Sequence, residues 1–217
     1  MRDEFERQLA LLNEELTTMG GLIESAIANA VKALDGDEHS INKAYDYEKS
    51  IDNKEREIES LCLKLLLTQQ PVASDLRLIS AALKMITDIE RVGDQSADIA
   101  DLNIRLIKKK QKWDLSDISE MARAATQMVN DAIDAYVNDD ENLARKVISS
   151  DDKIDELFVK TKDKIIDEIA ADKANGEKAI DTLMVAKYFE RIGDHAVNIA
   201  EWVVFSVTGV HKTERIM

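Results

Sequence analysis

The sequence predicts an all-α chain of six long helices, arranged as two tandem, pseudo-symmetric antiparallel three-helix bundles. Three observations carry that expectation. The 217 residues hold one proline and seven glycines among 45% hydrophobic and 33% charged residues, a composition that suits helices and lacks the turn residues of a loop-rich β-protein. Helical patterning breaks at "LDGDEH" (34–39), "TQQP" (68–71), "KKKQKWD" (108–114), "VNDDEN" (137–142) and "DKANGE" (172–177), leaving six segments of about 25 to 40 residues joined by short connections, as antiparallel neighbours require. The chain also repeats itself in order, at offsets between 100 and 103.

The first segment ends on "AIANAVKAL" (26–34), which resembles "MVNDAIDAY" (128–136) at the end of the fourth. The second carries "EKSIDNKE" (48–55), matched by "DDKIDELF" (151–158) in the fifth. The third holds "ERVGDQSADIAD" (90–101) and the sixth "ERIGDHAVNIAE" (190–201), with six of twelve positions identical and four conservatively exchanged. Residues 1–110 are therefore read as repeat 1 and 111–217 as repeat 2. Lys108, Lys109, Lys110 and Lys112 fall where the third helix should end, and cations there complement the helix dipole. Trp113 and Trp202 read as packing residues and Cys62, the single cysteine, as a small buried one that excludes an intrachain disulfide.

Charge concentrates on one face of the third and sixth segments. At about 100° per residue, positions 0, 4, 8 and 11 of the motif point near 0°, 40°, 80° and 20°. Glu90, Asp94, Asp98 and Asp101 thus share a face, as do Glu190, Asp194, Asn198 and Glu201, while Val92, Ile99, Ile192 and Ile199 point to the other side. A merely solvated face mixes signs to form pairs at four-residue spacing, yet no Lys or Arg occupies these positions in either copy. Gly93 and Gly193 each cost about 0.5 to 1 kcal/mol relative to alanine in a helix interior, so their duplication implies close approach of another backbone or of a bulky ligand.

The second and fifth segments offer partners for these faces. Glu48 and Asp52 are repeated as Asp151 and Asp155 and could lie opposite the acidic runs, giving one all-oxygen cluster per bundle. Glu55 and Glu59 are replaced by Phe158 and Lys162 in repeat 2 and read as surface acids. Hard divalent or trivalent cations suit converging carboxylates: magnesium, manganese, calcium or iron, with zinc less favoured because nitrogen and sulfur donors are missing from the set. His195 lies off the acidic face, its counterpart is Gln95, and it reads as a structural histidine; His39 and His211 carry little signal.

Other functions are disfavoured. A net charge of −14, from 43 acids against 29 basic residues, opposes a nucleic-acid footprint. No apolar run approaches a membrane span or a signal sequence, so direct membrane insertion is not expected and a cytoplasmic location is. No glycine-rich phosphate loop marks a nucleotide site, and no catalytic or cofactor-binding residues are assigned. A di-iron carboxylate oxidase would need Glu-x-x-His elements, and no histidine follows a glutamate by three residues. A purely structural helical scaffold without metal is the other alternative.

"QQPVASDLRLI" (69–79) and "DIERVGDQSADIADL" (88–102), followed by "YFERIGDHAVNIAEW" (188–202), strongly resemble the PhoU family, and the resemblance spans the whole chain. It implies a cytoplasmic, non-enzymatic protein of two three-helix bundles with metal bound through the acidic motifs. It further implies negative regulation of the phosphate-starvation response (the Pho regulon), a link between the ATPase subunit of the phosphate ABC transporter and a phosphate-sensing histidine kinase at the inner face of the membrane, and a homodimer. Gln95 and Asp98 stand where the second copy has His195 and Asn198, so the two sites need not be equal in affinity or metal preference.

Overall fold

Six amphipathic segments that each bury one stripe can be satisfied only by one another, and the chain folds accordingly. The structure, a computed structural model, describes residues 2–68, 71–107, 116–212 and 214–215. The helices are α1 (Arg2–Leu34), α2 (Glu38–Thr68), α3 (Ala73–Ile107), α4 (Ser116–Val137), α5 (Glu141–Ala171) and α6 (Gly176–Thr208), with a single 3-10 turn at Lys173–Asn175 before α6. A small antiparallel hairpin, β1 (Val210–His211) and β2 (Glu214–Arg215), follows α6. The all-α, two-bundle expectation holds. Lys108, Lys109, Lys110, Lys112, Trp113 and the boundary between residues 110 and 111 lie outside the described residues.

The repeats share their loop chemistry. Between α1 and α2, Gly36 takes a left-handed conformation at φ 97° and Asp37 caps α2, accepting from the backbone N–H of His39 at 3.1 Å and the hydroxyl of Ser40 at 2.7 Å. Between α4 and α5, Asp139 takes the left-handed position at φ 51° and Asp140 caps α5, accepting from Leu143 N–H at 3.0 Å. Left-handed closure followed by an acidic cap satisfies orphan backbone groups at both ends of the turn.

Within each repeat the three helices touch pairwise, and the repeats lie side by side, α3 against α6 and α1 against α4. One continuous apolar core runs through both, from Leu12, Leu16 and Ile58 to Val129, Phe189 and Ile199. Gly20 sits where α1 meets α4: a Cβ there would lie 2.9 Å from Ile133 Cδ1. Cys62 belongs to this core, and burial pushes its thiol up to about 12. Trp202 packs on the core edge, with His211 stacked on it at 3.9 Å between ring centroids. Among the described residues no helix is long and apolar enough to cross a membrane.

The caps predict a simple result: Asp140→Ala should lower unfolding stability by about 1 kcal/mol, measured by urea titration, and an unchanged midpoint would show that the cap contributes nothing.

Candidate metal centre

The seam between α2 and α3 closes at Gly93. A Cβ at that position would stand 3.0 Å from Ile51 Cδ1 and 3.2 Å from its Cγ2. In the second repeat a Cβ at Gly193 would meet Ile154 Cδ1 and an Asp151 carboxylate oxygen, each at 3.0 Å. What approaches the duplicated glycines is neither a backbone nor a ligand but side chains of the neighbouring helix, Ile51 of α2 against α3 and Ile154 with Asp151 of α5 against α6.

This closeness brings acids from two helices together. Glu48 and Asp52 of α2 and Asp94 of α3 each offer one carboxylate oxygen, all within 4.8 Å of one another and each half-buried. Burial, then the charges of Asp52 and Asp94, raise the Glu48 carboxyl above its ordinary value. Burial and Asp94 raise Glu90, with Asp52 and Glu55 adding to the shift; burial and Asp52 raise Asp94. In repeat 2, Asp151 is pushed up to about 6, first by burial and then by Asp155, Asp194 and Glu190.

Oxygens around a hard cation bound at about 2.0 to 2.6 Å lie up to about 5 Å apart, so the Glu48–Asp52–Asp94 donor set fits such an ion in spacing and in chemistry. The ion would supply positive charge to a site where carboxylates otherwise repel.

The remaining acids of the two motifs are drawn elsewhere. Asp98 accepts from the hydroxyl of Tyr188 on α6, and Asn198 donates to Asp88 Oδ1 on α3 at 3.2 Å. These are the same contact made twice across the pseudo-two-fold axis. On that axis Gln95 Nε2 meets His195 Nε2 at 3.2 Å, while His195 Nδ1 reaches Asp88 Oδ1 at 2.7 Å. The pattern fits an imidazole that donates from Nδ1 and accepts at Nε2, a structural role. Asp101 accepts from the Tyr45 hydroxyl, and Glu201 pairs with Lys212 at 3.2 Å.

Two features escape the helical wheel. Glu55, read as a surface acid, faces Asp52 and Glu90. Lys187, one turn before Glu190 and outside the motif, donates to both Glu190 carboxylate oxygens, so the second acidic run carries a basic partner after all. The exchange of Glu55 for Phe158 was the visible sign that the repeats differ here.

The fold and its paired seams define a duplicated helix-bundle protein in which carboxylates of α2 and α3 converge. The PhoU domain matches twice, over residues 16–102 and 118–203, and the chain belongs to the PhoU family. It is 34% identical to a phosphate-specific transport system accessory protein PhoU homolog of Clostridium acetobutylicum, over 96% of each chain. It is 32% identical to PhoU homolog 1 of Thermotoga maritima, over 97% of this chain and 91% of the relative. The crystal structure of PhoU from Pseudomonas aeruginosa superposes with a TM-score of 0.89 at 30% identity, covering 95% of this chain and all (100%) of the other. The phosphate transport system regulatory protein PhoU from Streptococcus pneumoniae, at 24% identity over 97% of this chain and 100% of its own, shares the fold with a TM-score of 0.87.

Between its ordinary value of 3.8 and about 6, Asp151 holds a proton in the folded chain that the unfolded chain has released. Folding takes up a proton in that window, so Asp151 makes stability fall as pH rises through it, and the penalty is complete above it. Asp151→Asn should raise the metal-free Tm at neutral pH and flatten its pH dependence between about 4 and 6; an unaltered slope would assign the effect to other groups. Gly93→Ala should lower stability by about 1 kcal/mol in thermal unfolding, overpacking against Ile51 exceeding the gain in helix propensity, and a stabilised variant would contradict the close contact.

Proposed function

We propose that this chain is a non-enzymatic accessory regulator of phosphate uptake and phosphate-starvation signalling. It links the ATPase subunit of a phosphate ABC transporter to a phosphate-sensing histidine kinase and holds both in check when phosphate is plentiful. Membership of the PhoU family across both repeats carries this reading, since the relatives are named accessory proteins of phosphate-specific transport. On this reading the protein works as a homodimer in the cytoplasm, at the inner face of the membrane through its partners, with residues 1–110 and 111–217 as its two halves.

The acidic seam of repeat 1 is its metal site. Glu48, Asp52, Glu90 and Asp94 hold a divalent or trivalent ion in repeat 1, and Asp151, Asp155, Glu190 and Asp194 form the corresponding set in repeat 2. The convergence of Glu48, Asp52 and Asp94 from two helices supports this assignment. Bound there, a cation ties α2 to α3 and removes the repulsion among half-buried carboxylates. Asp98, Asp101, Asn198 and Glu201 support the helix crossing and the outer ends instead.

Deletion should derepress phosphate uptake and starvation genes in phosphate-rich medium, and unchanged expression there would overturn the regulatory role. Glu48→Gln combined with Asp94→Asn should abolish metal retained after Mn²⁺ loading, measured by elemental analysis; undiminished metal would remove the site assignment.

A further inference from the structure

The two seams differ at one point that the duplication does not explain. Lys187 Nζ lies against both carboxylate oxygens of Glu190, a side chain only 15% exposed, and 5.4 Å from the centroid of the Phe158 ring on α5. The ammonium sits at the edge of the α5–α6 seam, between a carboxylate of α6 and the aromatic face of α5, on a side chain 45% exposed. At the equivalent positions repeat 1 has Thr87 and Glu55.

There the seam loses an ammonium and gains a carboxylate. Glu55 and Asp52 lie near enough to Glu90 to raise its carboxyl after burial and Asp94, and the guanidinium contacts there are marginal: Arg91 to Glu90 at 3.7 Å and Arg56 to Asp52 at 4.0 Å, both arginines more than half exposed. Only the first seam has three acids meeting closely enough, among the described residues, to share one ion.

We infer that Lys187 is a built-in counter-ion that stands in for a bound metal cation in repeat 2, so that repeat 1 is the metal-binding half and position 187 sets the difference. This rests on the reading of the first seam as a metal site. An ammonium paired with Glu190 occupies its oxygens and repels an incoming dication, whereas Glu55, in the place of Phe158, adds a carboxylate that attracts one.

The test counts ions on the full chain by equilibrium dialysis against Mn²⁺ with elemental analysis. Lys187→Thr, which installs the residue of repeat 1, should add one Mn²⁺ per chain, and further change of Asp194→Asn should remove it. Lys187→Met, which keeps the aliphatic packing on Phe158 and deletes only the charge, should give the same gain and covers the case in which the threonine variant folds poorly. In an Asp94→Asn background, which disables repeat 1, Mn²⁺ should be lost and then restored by Lys187→Thr. Retention of all wild-type Mn²⁺ by Asp94→Asn, or no added ion in either Lys187 variant, overturns the inference. If the wild-type chain binds no Mn²⁺, the metal reading of repeat 1 falls, and with it the claim that repeat 1 is the metal-binding half.

Discussion

Everything about the two seams depends on the absence of a side chain at positions 93 and 193. Ile51 and Ile154 press into those gaps, with atoms about as close as a Cβ would permit them. The same isoleucines are fully buried, so the core and the seam are fixed by one contact. Burial of one large aliphatic side chain is worth about 1.5 to 3 kcal/mol, more than the propensity lost by placing glycine in a helix. Once that contact is made, the helical repeat leaves no freedom. Glu48 and Asp52 flank Ile51 by three residues and one, and must face the run that begins at Glu90.

The resulting proximity of carboxylates is unfavourable on its own. Each raised carboxyl on the seams is shifted chiefly by burial and then by its acidic neighbours, so the chain holds these groups together against their electrostatics. Hydrophobic packing supplies the force. A site assembled this way does not need its ligand in order to form, and its raised protonation equilibria make cation binding compete with protons. Such a site is pre-organised by the core, with charge left over to interact with a cation.

The inward contacts were legible from the sequence and the sideways ones were not. Glycine at matching places in two acidic helices, with a repeated acid pair on their neighbours, points to α2 against α3 and α5 against α6, because each signal concerns helices adjacent in the chain; the isoleucines that fill the gaps came only with the structure. Asp98 and Asn198 were grouped with the acidic face because they sit about 80° round the helix from the first acid, within the arc that a wheel treats as one side. In the folded chain that edge borders the other repeat, so these residues bond to Tyr188 and Asp88. A helical wheel reports direction about one axis and cannot say which helix stands there. Glu55 reads as a surface acid because its counterpart is Phe158, and in the folded chain it is half-buried beside Asp52 and Glu59, a place where the repeats diverge.

The crossing of α3 and α6 explains how divergence could proceed without loss of the fold. Pseudo-symmetry makes positions 95 and 195 neighbours, and makes 88 with 198 and 98 with 188 equivalent contacts. A duplicated pair on a symmetry axis need only be mutually complementary, not identical. Tyr188 donating to Asp98 and Asn198 donating to Asp88 fill the same space with opposite assignments of donor and acceptor. His195 bonds to Asp88 through Nδ1 and to the Gln95 amide nitrogen through Nε2. With the axis tied by complementary polar bonds and the core shared between repeats, each outer seam is free to change its charge without unsettling the other half.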